Sequence, residues 1–378
     1  MGWKRNLMEG ILATAKKFTP NVAPNSNHPP HSIFVLRNND LGDLLGVTPM
    51  FAAIKKTWPA CRLGVGVGDW SRPILENNPW IDEVLPANAP WHNKAITKQG
   101  VLAGLQYALF SSEASVLARQ RFDAGIDPLG STLGSLLMIR CRIPTRIGVQ
   151  GYAGGHSANT VNVRFDLRRH VGCAALASAK TLGADIHSIK TAPQLFLTAK
   201  EDTLGEEAWT PPRKRRRLII APGAGFLEKR WPLENFVSLT KLLLASSPTE
   251  ILILGSREDA ALAQQIEQKT KNETTKGQSL LRNLCGRTNL RETFAITARC
   301  DAVISNTSLL MHVAGAFGKP NLVLLGPWYE SAVLHASQWA HENTVVLGRE
   351  TSEGENELTN PEAAFRGFEG MLATEQPQ

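Results

Sequence analysis

Most of the residues whose types and spacing suggest chemistry lie in the second half of the chain. Ala221–Gly225 reads Ala-Pro-Gly-Ala-Gly directly after an apolar run, so Gly223 and Gly225 leave backbone N–H groups exposed. Lys229, four residues further on, adds a full positive charge. Exposed N–H groups beside a cation suit a diphosphate. A solvated loop is the alternative for this segment taken alone.

A second stretch, residues 305–312, adds a helix start to the same pocket. It reads Ser-Asn-Thr-Ser-Leu-Leu-Met-His, and Thr307 and Ser308 are expected to open the helix. The first N–H groups of a helix have no partner within it, so they attract phosphate. A capped helix without a ligand is the alternative.

An aspartate in the first half of the chain is the other candidate. Residues 37–49 follow a strand-like run and read Arg-Asn-Asn-Asp-Leu-Gly-Asp-Leu-Leu-Gly-Val-Thr-Pro. Gly42 permits a tight turn, and Asp43 then falls at the start of a helix. There it faces the crevice that forms at the carboxyl end of a parallel sheet. Helix capping is the alternative role for this carboxylate.

Alternating strands and helices must position these groups, and the alternation predicts two successive α/β domains with parallel sheets. In the first half, strands are expected over 33–37, 62–67, 123–127, 146–149 and 194–198, and helices over 44–57 and 131–140. In the second half, strands are expected over 218–221, 250–254, 302–305 and 321–325, and helices over 232–245, 257–269, 290–299 and 312–317. Such an arrangement predicts a ligand cleft between the carboxyl ends of the two sheets.

The expected domains are residues 32–200 and 218–348, and residues 1–31 precede them. Residues 1–18 have apolar side chains near helical spacing with lysines and an arginine between them, and a proline-rich linker follows. A basic amphipathic helix of this kind is expected either to lie on an anionic membrane face or to be a packing helix or a disordered extension.

Two further segments lie outside the expected domains. Residues 201–217 predict a linker that ends in Arg213–Arg217. This basic run has no interleaved aromatic residues, so a solvated or membrane-facing run is favoured over a nucleic-acid site. The Glu-rich tail, 349–378, contains an expected helix at 361–373.

Composition excludes several classes of protein. With 378 residues, 43% hydrophobic and 20% charged, the chain is a folded protein of two or three domains, and no apolar run approaches the roughly 18 residues that span a bilayer. Five scattered cysteines exclude a disulfide framework and a cysteine zinc site and favour a reducing compartment. No Walker-type phosphate loop occurs. There is neither an Asp-x-Asp nor a histidine pair at metal-ligand spacing, so no obligatory metal is indicated.

Charge is distributed unevenly along the chain. Residues 1–200 carry 22 lysines and arginines against 12 aspartates and glutamates, a net charge of +10, whereas residues 201–378 carry 19 against 22, a net charge of −3. A basic half predicts a polyanionic partner, and nucleic acid, a phospholipid surface and a phosphorylated glycan all qualify.

The joint order of these segments resembles glycosyltransferase family 9, the bacterial heptosyltransferases of lipopolysaccharide core assembly. The resemblance covers about residues 32–349. In the first half it rests on Ile-Phe-Val-Leu-Arg with Leu-Gly-Asp-Leu-Leu and Thr-Pro at 33–49. In the second half it rests on Pro-Gly-Ala with Lys-Arg-Trp-Pro and Phe at 222–236, Leu-Gly-Ser-Arg-Glu-Asp at 254–259, Asn-Leu-Cys-Gly-Arg-Thr-Asn-Leu-Arg-Glu at 283–292, Ser-Asn-Thr-Ser-Leu-Leu-Met-His-Val-Ala at 305–314 and Gly-Lys-Pro with Leu-Gly-Pro at 318–327.

The resemblance implies a GT-B fold, in which two Rossmann-like, doubly wound domains face a central cleft. It implies an ADP-heptose donor bound mainly by the C-terminal domain and a lipid-linked, phosphorylated inner-core glycan bound by the N-terminal one. It further implies an inverting reaction without a metal or other cofactor, and a cytoplasmic enzyme attached peripherally to the inner face of the membrane. Nucleic acid is not an expected partner.

The resemblance also implies roles for individual residues. Asp43 matches the base that takes the proton of the acceptor hydroxyl, and Lys229 matches the lysine that neutralises the departing diphosphate in place of a metal. The expected donor-phosphate residues are Gly223, Gly225, Asn306, Thr307, Ser308 and His312. The expected nucleotide-binding residues are Glu258, Gly286 and Thr288. The expected acceptor-side residues are Arg37, Asn39 and Gly42.

This chain departs from the family pattern at the second motif. Where the family usually has Asn-Asp-Ser-Gly-Pro-Met-His, this chain has Thr307 in place of the acid and Leu309 in place of the glycine. Two alternatives follow from this departure. One is a related GT-B transferase that uses another nucleotide sugar or a non-lipopolysaccharide acceptor, and the other is a non-catalytic homologue that binds nucleotide sugars.

Overall fold

The computed structural model describes residues 2–25, 28–211, 213–274 and 279–373, and it divides the chain into two compact units, Met1–Pro193 and Gln194–Gln378. Each unit is built on one six-stranded sheet in which all neighbouring strands are parallel. The expected class, α/β with two doubly wound units, is confirmed.

The N-terminal unit holds strands β1 to β6 and helices α1 to α8. The strands are β1 (Ser32–Leu36), β2 (Arg62–Val67), β3 (Glu83–Pro86), β4 (Ala124–Ile126), β5 (Thr145–Gln150) and β6 (Val161–Arg164). The helices are α1 (Gly2–Lys17), α2 (Leu41–Val47), α3 (Pro49–Thr57), α4 (Arg72–Leu75), α5 (Val101–Phe110), α6 (Ser112–Arg119), α7 (Thr132–Arg140) and α8 (Val171–Thr181).

The C-terminal unit repeats this plan. Its strands are β7 (Arg216–Ala221), β8 (Thr249–Ile253), β9 (Leu280–Asn283), β10 (Ala302–Ser305), β11 (Asn321–Leu324) and β12 (Thr344–Leu347). Its helices are α9 (Ala199–Glu207), α10 (Leu233–Ser246), α11 (Ala260–Thr274), α12 (Leu290–Ala298), α13 (Leu309–Ala316), α14 (Ala332–Trp339) and α15 (Pro361–Ala373).

Strand order is the same in both sheets. It runs β3-β2-β1-β4-β5-β6 in the first and β9-β8-β7-β10-β11-β12 in the second. The order reverses between β1 and β4 and again between β7 and β10, and ligands of such sheets bind at the carboxyl ends of the strands beside the reversal. The two candidate segments of the sequence follow β1 and β7, so each begins at this point of its own sheet.

The central strands form because their apolar, mostly branched side chains are buried on both faces. Every residue of β1, Ser32–Leu36, is buried, and Ile33 pairs with Leu63 of β2 on one side and with Ala124 of β4 on the other. Burial of each such large side chain contributes about 1.5–3 kcal/mol. The central strands are therefore rigid supports for the loops at their carboxyl ends.

The helix expected over 44–57 is two helices, α2 and α3. Pro49 has no N–H and starts α3, and the hydroxyl of Thr48 donates to the carbonyl of Leu45 at 2.7 Å. The α2 helix also begins earlier than expected, at Leu41, which places Gly42 inside its first turn rather than in a turn before it.

The strand expected over 194–198 is wrong. No strand is present there, and β6 closes the sheet beside β5, with Val161 opposite Ile147. Four short strands for which the sequence gives no prediction, β3, β6, β9 and β12, complete the two sheets. Their residues are mostly half-buried, so they lack the continuous apolar pattern by which the central strands are recognised.

The linker expected over 201–217 is also wrong in part, because α9 occupies much of it and packs on α12. Glu201 pairs with Arg291 at 2.7 Å, and Gly205 lies so close to α12 that a Cβ there would come within 2.3 Å of a backbone oxygen. Arg216 and Arg217 belong to β7. The guanidinium of Arg217 is buried against Glu206 at 2.6 Å, so these two residues are not part of a solvated basic run.

Helix α1 packs on the N-terminal unit, so it is not a disordered extension. Leu12 is fully buried in the core of the N-terminal unit, and the buried carboxylate of Glu9 accepts hydrogen bonds from the backbone N–H groups of Gly155 and Ser157. The start of the proline-rich segment is also held in place, because the buried guanidinium of Arg146 donates to the carbonyl of Pro20 at 2.7 Å.

Within the residues that the structure describes, no single helix is long and apolar enough to cross a membrane, although the bent pair α5–α6 passes the same length and composition criterion when its two helices are joined.

Candidate active site

Asp43 lies in the first turn of α2, just past the carboxyl end of β1. Its carboxylate is about one-third exposed, and Oδ1 lies 3.5 Å from Nη2 of Arg37. Nε of Arg37 donates to the backbone oxygen of Asp43 at 3.2 Å. Helix capping is not the role of this carboxylate, because Asp40 occupies the N-cap position. One arginine therefore fixes both the backbone and the carboxylate of Asp43.

Arg37 is itself buried, with only 5% of its surface exposed. Its Nη1 has no hydrogen-bond partner among the described residues. A buried guanidinium normally satisfies its donors, because an unmade hydrogen bond to a charged group costs several kcal/mol. The spare donor beside Asp43 is therefore suited to an oxygen of a bound ligand.

Asn39 secures the neighbouring loop that follows β3. Its side-chain Nδ2 donates to the backbone oxygen of His92 at 2.9 Å, and its own backbone oxygen accepts from Nε1 of Trp70 at 3.1 Å. The side-chain Nδ2 of Asn38 likewise donates to the backbone oxygen of Trp91 at 2.9 Å. Both asparagines are buried, so of the expected acceptor-side residues Asn39 shapes the wall of the site while Arg37 carries its charge.

The loop after β7 is packed closely against the loop after β8. A Cβ at Gly223 would lie 2.4 Å from the carboxyl group of Asp259, so only glycine fits there. Asp259 is buried, accepts from the N–H and hydroxyl of Ser256, and pairs with Arg230 at 3.2 Å. Gly225 is exposed, as a loop that approaches a ligand requires.

Asn306 ties this loop to the end of β10. It is fully buried, its Oδ1 accepts from the N–H of Trp231 at 2.8 Å, and its Nδ2 donates to the carbonyl of Pro222 at 2.6 Å. All of these partners are backbone groups on either side of Lys229. The structure thus places Asn306 as the residue that holds the lysine-bearing loop in position.

Thr307 and Ser308 open α13, as the sequence predicts. Ser308 is the N-cap residue, and its side chain makes no capping hydrogen bond. Burial raises the pKa of Tyr329, and the neighbouring side chain of Thr307 partly offsets this rise. Leu309, the first residue of the helix, is half-buried. The helix start that should attract phosphate is therefore present, and the side chain of Thr307 before it lies beside Tyr329.

His312 is part of a buried histidine pair. Its Nδ1 lies 3.1 Å from Nε2 of His341, and its ring meets that of Trp339 edge to face at 5.7 Å. A Cβ at Gly315 would lie 2.3 Å from the His341 ring, so a glycine one helical turn from His312 makes room for the pair. The His341 partner was not expected from sequence, because it lies 29 residues away in a loop.

The expected nucleotide residues lie at the ends of β8 and β9. Glu258 is exposed in the turn that follows β8. Gly286 has a left-handed backbone, with φ of 69°, and its N–H donates to the carbonyl of Gly255 at 3.0 Å, which joins the two loops. The hydroxyl of Thr288 contacts that of Thr293 at 2.9 Å.

Two further residues beside Lys229 were missed by sequence reasoning. The ammonium of Lys229 lies 5.7 Å from the ring centre of Tyr329, and that ring meets the imidazole of His335 edge to face at 4.9 Å. Tyr329 and His335 both follow β11. This strand lies beside β10, which ends two residues before Thr307. Their position after a central parallel strand is the only signal that would have indicated them.

The sequence-predicted residues therefore fall into two groups. Arg37, Asn39, Gly42 and Asp43 lie together at the end of β1 in the N-terminal unit, and the remaining candidates lie at the ends of β7 to β10 in the C-terminal unit. Among the described residues, no group of three histidine, cysteine, aspartate or glutamate side chains is arranged to hold a metal ion.

Comparison with known proteins gives concordant matches. Residues 112–363 match the family described as glycosyltransferase family 9 (heptosyltransferase). Lipopolysaccharide heptosyltransferase 2 of Salmonella typhimurium and that of Escherichia coli K12 are each 26% identical over 302 residues, covering 78% of this chain and 82% of theirs. The solved structure of E. coli ADP-heptose lps heptosyltransferase II superposes with a TM-score of 0.69 at 21% identity, covering 92% of this chain and all of that one. This likeness confirms the expected fold.

Proposed function

This chain belongs to glycosyltransferase family 9 and is a glycosyltransferase, and from that premise we propose that it transfers heptose from ADP-heptose to the inner-core Kdo or heptose of a lipopolysaccharide acceptor. The observation that carries the proposal is the placement of its charged groups. Asp43 with Arg37 follows β1 and Lys229 follows β7, each at the strand-order reversal of its own sheet.

Asp43 is the proposed general base. As the acceptor oxygen bonds to the anomeric carbon of heptose, the bond from that carbon to the diphosphate oxygen breaks and ADP leaves. The acceptor hydroxyl becomes acidic late in this process, when the sugar has oxocarbenium character, and its proton passes to the Asp43 carboxylate. Because one displacement occurs, the anomeric configuration inverts. Arg37 keeps the carboxylate oriented.

Lys229 is proposed to stabilise the negative charge that develops on the departing diphosphate. The N–H groups of the Gly223–Gly225 loop and the start of α13 at Thr307 and Ser308 surround the same proposed position, with His312 supporting the helix. Together these groups would replace a divalent cation. Transfer is therefore expected to persist in excess EDTA, and restoration of lost activity by added Mg²⁺ or Mn²⁺ would refute metal independence.

The nucleoside half of the donor is proposed to bind at the ends of β8 and β9. The exposed carboxylate of Glu258 suits the two ribose hydroxyls, since an ionised carboxylate accepts both hydrogen bonds. Gly286 and Thr288 are proposed to line the adenine side. Glu258→Gln is expected to weaken ADP binding, whereas Glu362→Gln, far along the chain in α15, serves as the control.

The lipid-linked acceptor glycan is proposed to bind the basic N-terminal unit at the cytoplasmic face of the inner membrane. The outward face of α1 exposes Leu7 and Ile11, and Phe18, directly after the helix, is also exposed, with Lys17 beside it. An exposed apolar stripe flanked by a cation suits an anionic lipid surface. A Leu7→Ser/Ile11→Ser/Phe18→Ser variant is expected to lose co-sedimentation with phosphatidylglycerol vesicles, while Ala13→Ser on the same helix retains it. Equal binding by both variants would refute this contact.

The direct test of the enzymatic proposal measures ADP released from ADP-heptose in the presence of a Kdo-bearing lipopolysaccharide acceptor. Release above the acceptor-free background is expected for the unaltered chain. Absence of release, or undiminished release by Asp43→Ala, would refute it.

One observation favours a second candidate, a related transferase with another donor or a non-lipopolysaccharide acceptor. Thr307 and Leu309 stand where the family usually has an acid and a glycine, and Leu309 is half-buried at the helix start proposed to receive the diphosphate. A thermal-shift panel of ADP, UDP and GDP sugars separates the two candidates, because a bound ligand raises Tm. Binding without turnover would instead indicate a non-catalytic homologue.

A further inference from the structure

Lys229 rests against the faces of two aromatic rings. Its ammonium lies 5.4 Å from the ring centre of Phe226 and 5.7 Å from that of Tyr329. The π-face of an aromatic ring attracts a cation within about 6 Å. Phe226 is half-exposed and belongs to the same loop as Lys229, whereas Tyr329 comes from the separate loop that follows β11.

Tyr329 is held from several sides. The side chain of Thr307 lies beside its hydroxyl, and its backbone oxygen accepts from Nε of Arg349 at 3.3 Å. The adjacent residue, Trp328, donates its N–H to the carbonyl of Glu228 at 2.9 Å, which ties the Tyr329 loop to the turn that carries Lys229. The tyrosine ring therefore has a fixed position relative to the lysine backbone.

The imidazole of His335 supports the Tyr329 ring edge to face, at 4.9 Å and an interplanar angle of 66°. His335 is 5% exposed, and its Nε2 has no hydrogen-bond partner among the described residues. Burial and then the positive charge of Lys229 lower the pKa of His335 to about 4. At neutral pH the support is therefore an uncharged ring, which adds no cation to compete with Lys229 for an anion.

We propose that Tyr329 is a positioning residue that directs the ammonium of Lys229 toward the donor diphosphate, an inference that rests on the role proposed above for Lys229. The same contact gives a physical reason for Thr307. Threonine places an uncharged hydroxyl beside Tyr329. The acid usual in the family would instead place a negative charge beside the ring that the ammonium of Lys229 contacts.

A double-mutant cycle read by ADP binding tests this role without requiring turnover. Calorimetric titration of the full chain with ADP is compared for Tyr329→Leu, Tyr329→Phe, Lys229→Ala and the Lys229→Ala/Tyr329→Leu double variant. Loss of the ring in Tyr329→Leu is expected to weaken ADP binding about fivefold to tenfold. Tyr329→Phe keeps the ring and is expected to stay within about threefold of the unaltered chain. In the Lys229→Ala background, Tyr329→Leu is expected to have no further effect.

Phe226→Leu is the matched control, because it removes the other ring near Lys229 from a half-exposed site. It is expected to weaken ADP binding less than Tyr329→Leu does. Thermal unfolding of every variant verifies that the fold is retained.

The outcomes that overturn the inference are distinguishable from those that overturn its premise. An equal loss from Tyr329→Leu with and without Lys229 assigns Tyr329 a merely structural role, and no loss in either background also refutes the inference. Unchanged ADP binding in Lys229→Ala refutes the premise. If the unaltered chain binds no ADP, the proposed donor is refuted, and the cycle is repeated with inorganic pyrophosphate. Failure to bind that anion refutes both.

Discussion

Gly326 follows β11 and lies directly against the backbone of the Lys229 turn. A Cβ at this position would lie 2.4 Å from the carbonyl oxygen of Arg230 and 2.6 Å from the carbonyl carbon of Lys229. Gly326 is buried, and its φ is outside the left-handed region, so alanine meets no backbone strain there. Gly326→Ala therefore perturbs the lysine turn by steric contact alone.

The size of the perturbation follows from ordinary contact distances. Carbon and carbonyl oxygen approach to about 3.3 Å, so the lysine turn must move by about 0.9 Å. A displacement of about 1 Å at a catalytic group lowers the rate on the order of a hundredfold. Overpacking of this kind costs about 1–3 kcal/mol, which corresponds to a fall in Tm of roughly 2–10 °C.

The assay is kcat for ADP release, measured together with Tm. Gly370→Ala is the control, because no heavy atom lies within 4 Å of a Cβ at that position in α15. It is expected to raise helix stability by about 1 kcal/mol and leave kcat unchanged. If Gly326→Ala lowers Tm but retains the kcat of the unaltered chain, the position of Lys229 does not determine the rate, and the reasoning is refuted.

Three further predictions concern other parts of the site and its frame. Arg37→Met is expected to lower kcat about tenfold to a hundredfold with unchanged ADP affinity by calorimetry, because Asp43 loses its orienting partner; a parallel loss of ADP binding would contradict this. Asn306→Ala leaves buried backbone groups unpaired and is expected to cost about 2–4 kcal/mol in urea unfolding, and a cost below about 1 kcal/mol would argue against the tether. Arg291 lowers the pKa of Glu201 to about 2, so this carboxylate stabilises the fold above pH 4.5, and its contribution is lost as the pH falls toward 2. Glu201→Gln should flatten the pH dependence of unfolding in that window, and an unchanged slope would contradict the pairing.

The sequence identifies the central frame well, because burial on both faces leaves a continuous apolar signal. The expected strand at 62–67 and the expected helix at 361–373 coincide with β2 and α15. The strands β3, β6, β9 and β12 escape prediction, since they lie toward sheet edges and their residues are mostly half-buried. An edge strand forms because it pairs with a neighbouring strand, and one sequence alone does not indicate which segments pair.

The linker error has a different physical origin. Residues 201–217 contain many charges and two prolines, which is typical of a solvated connection. In the structure those charges are paired across elements, as in Glu201 with Arg291 and Glu206 with Arg217. A charge that finds its partner 90 residues away looks like a solvated charge in the sequence, so composition misjudges such a helix.

The residues of the candidate site also differ in how clearly the sequence indicates them. Asp43, Lys229 and the helix start at Ser308 are recognisable because each lies in a short motif after an apolar strand. The sequence places Arg37 near Asp43, but only the structure shows that Arg37 is buried and that its Nη1 is a spare donor. Tyr329 and His335 become visible only once β11 is known to lie beside β10.

The central claim is that the Asp43 carboxylate accepts the proton of the acceptor hydroxyl. Its most direct test is the single-turnover rate of heptose transfer by Asp43→Asn, with ADP-heptose bound at saturation and the fold verified by Tm. Asparagine keeps the shape but cannot take the proton, so a fall of at least about a hundredfold is predicted. A rate within threefold of the unaltered chain would contradict the account.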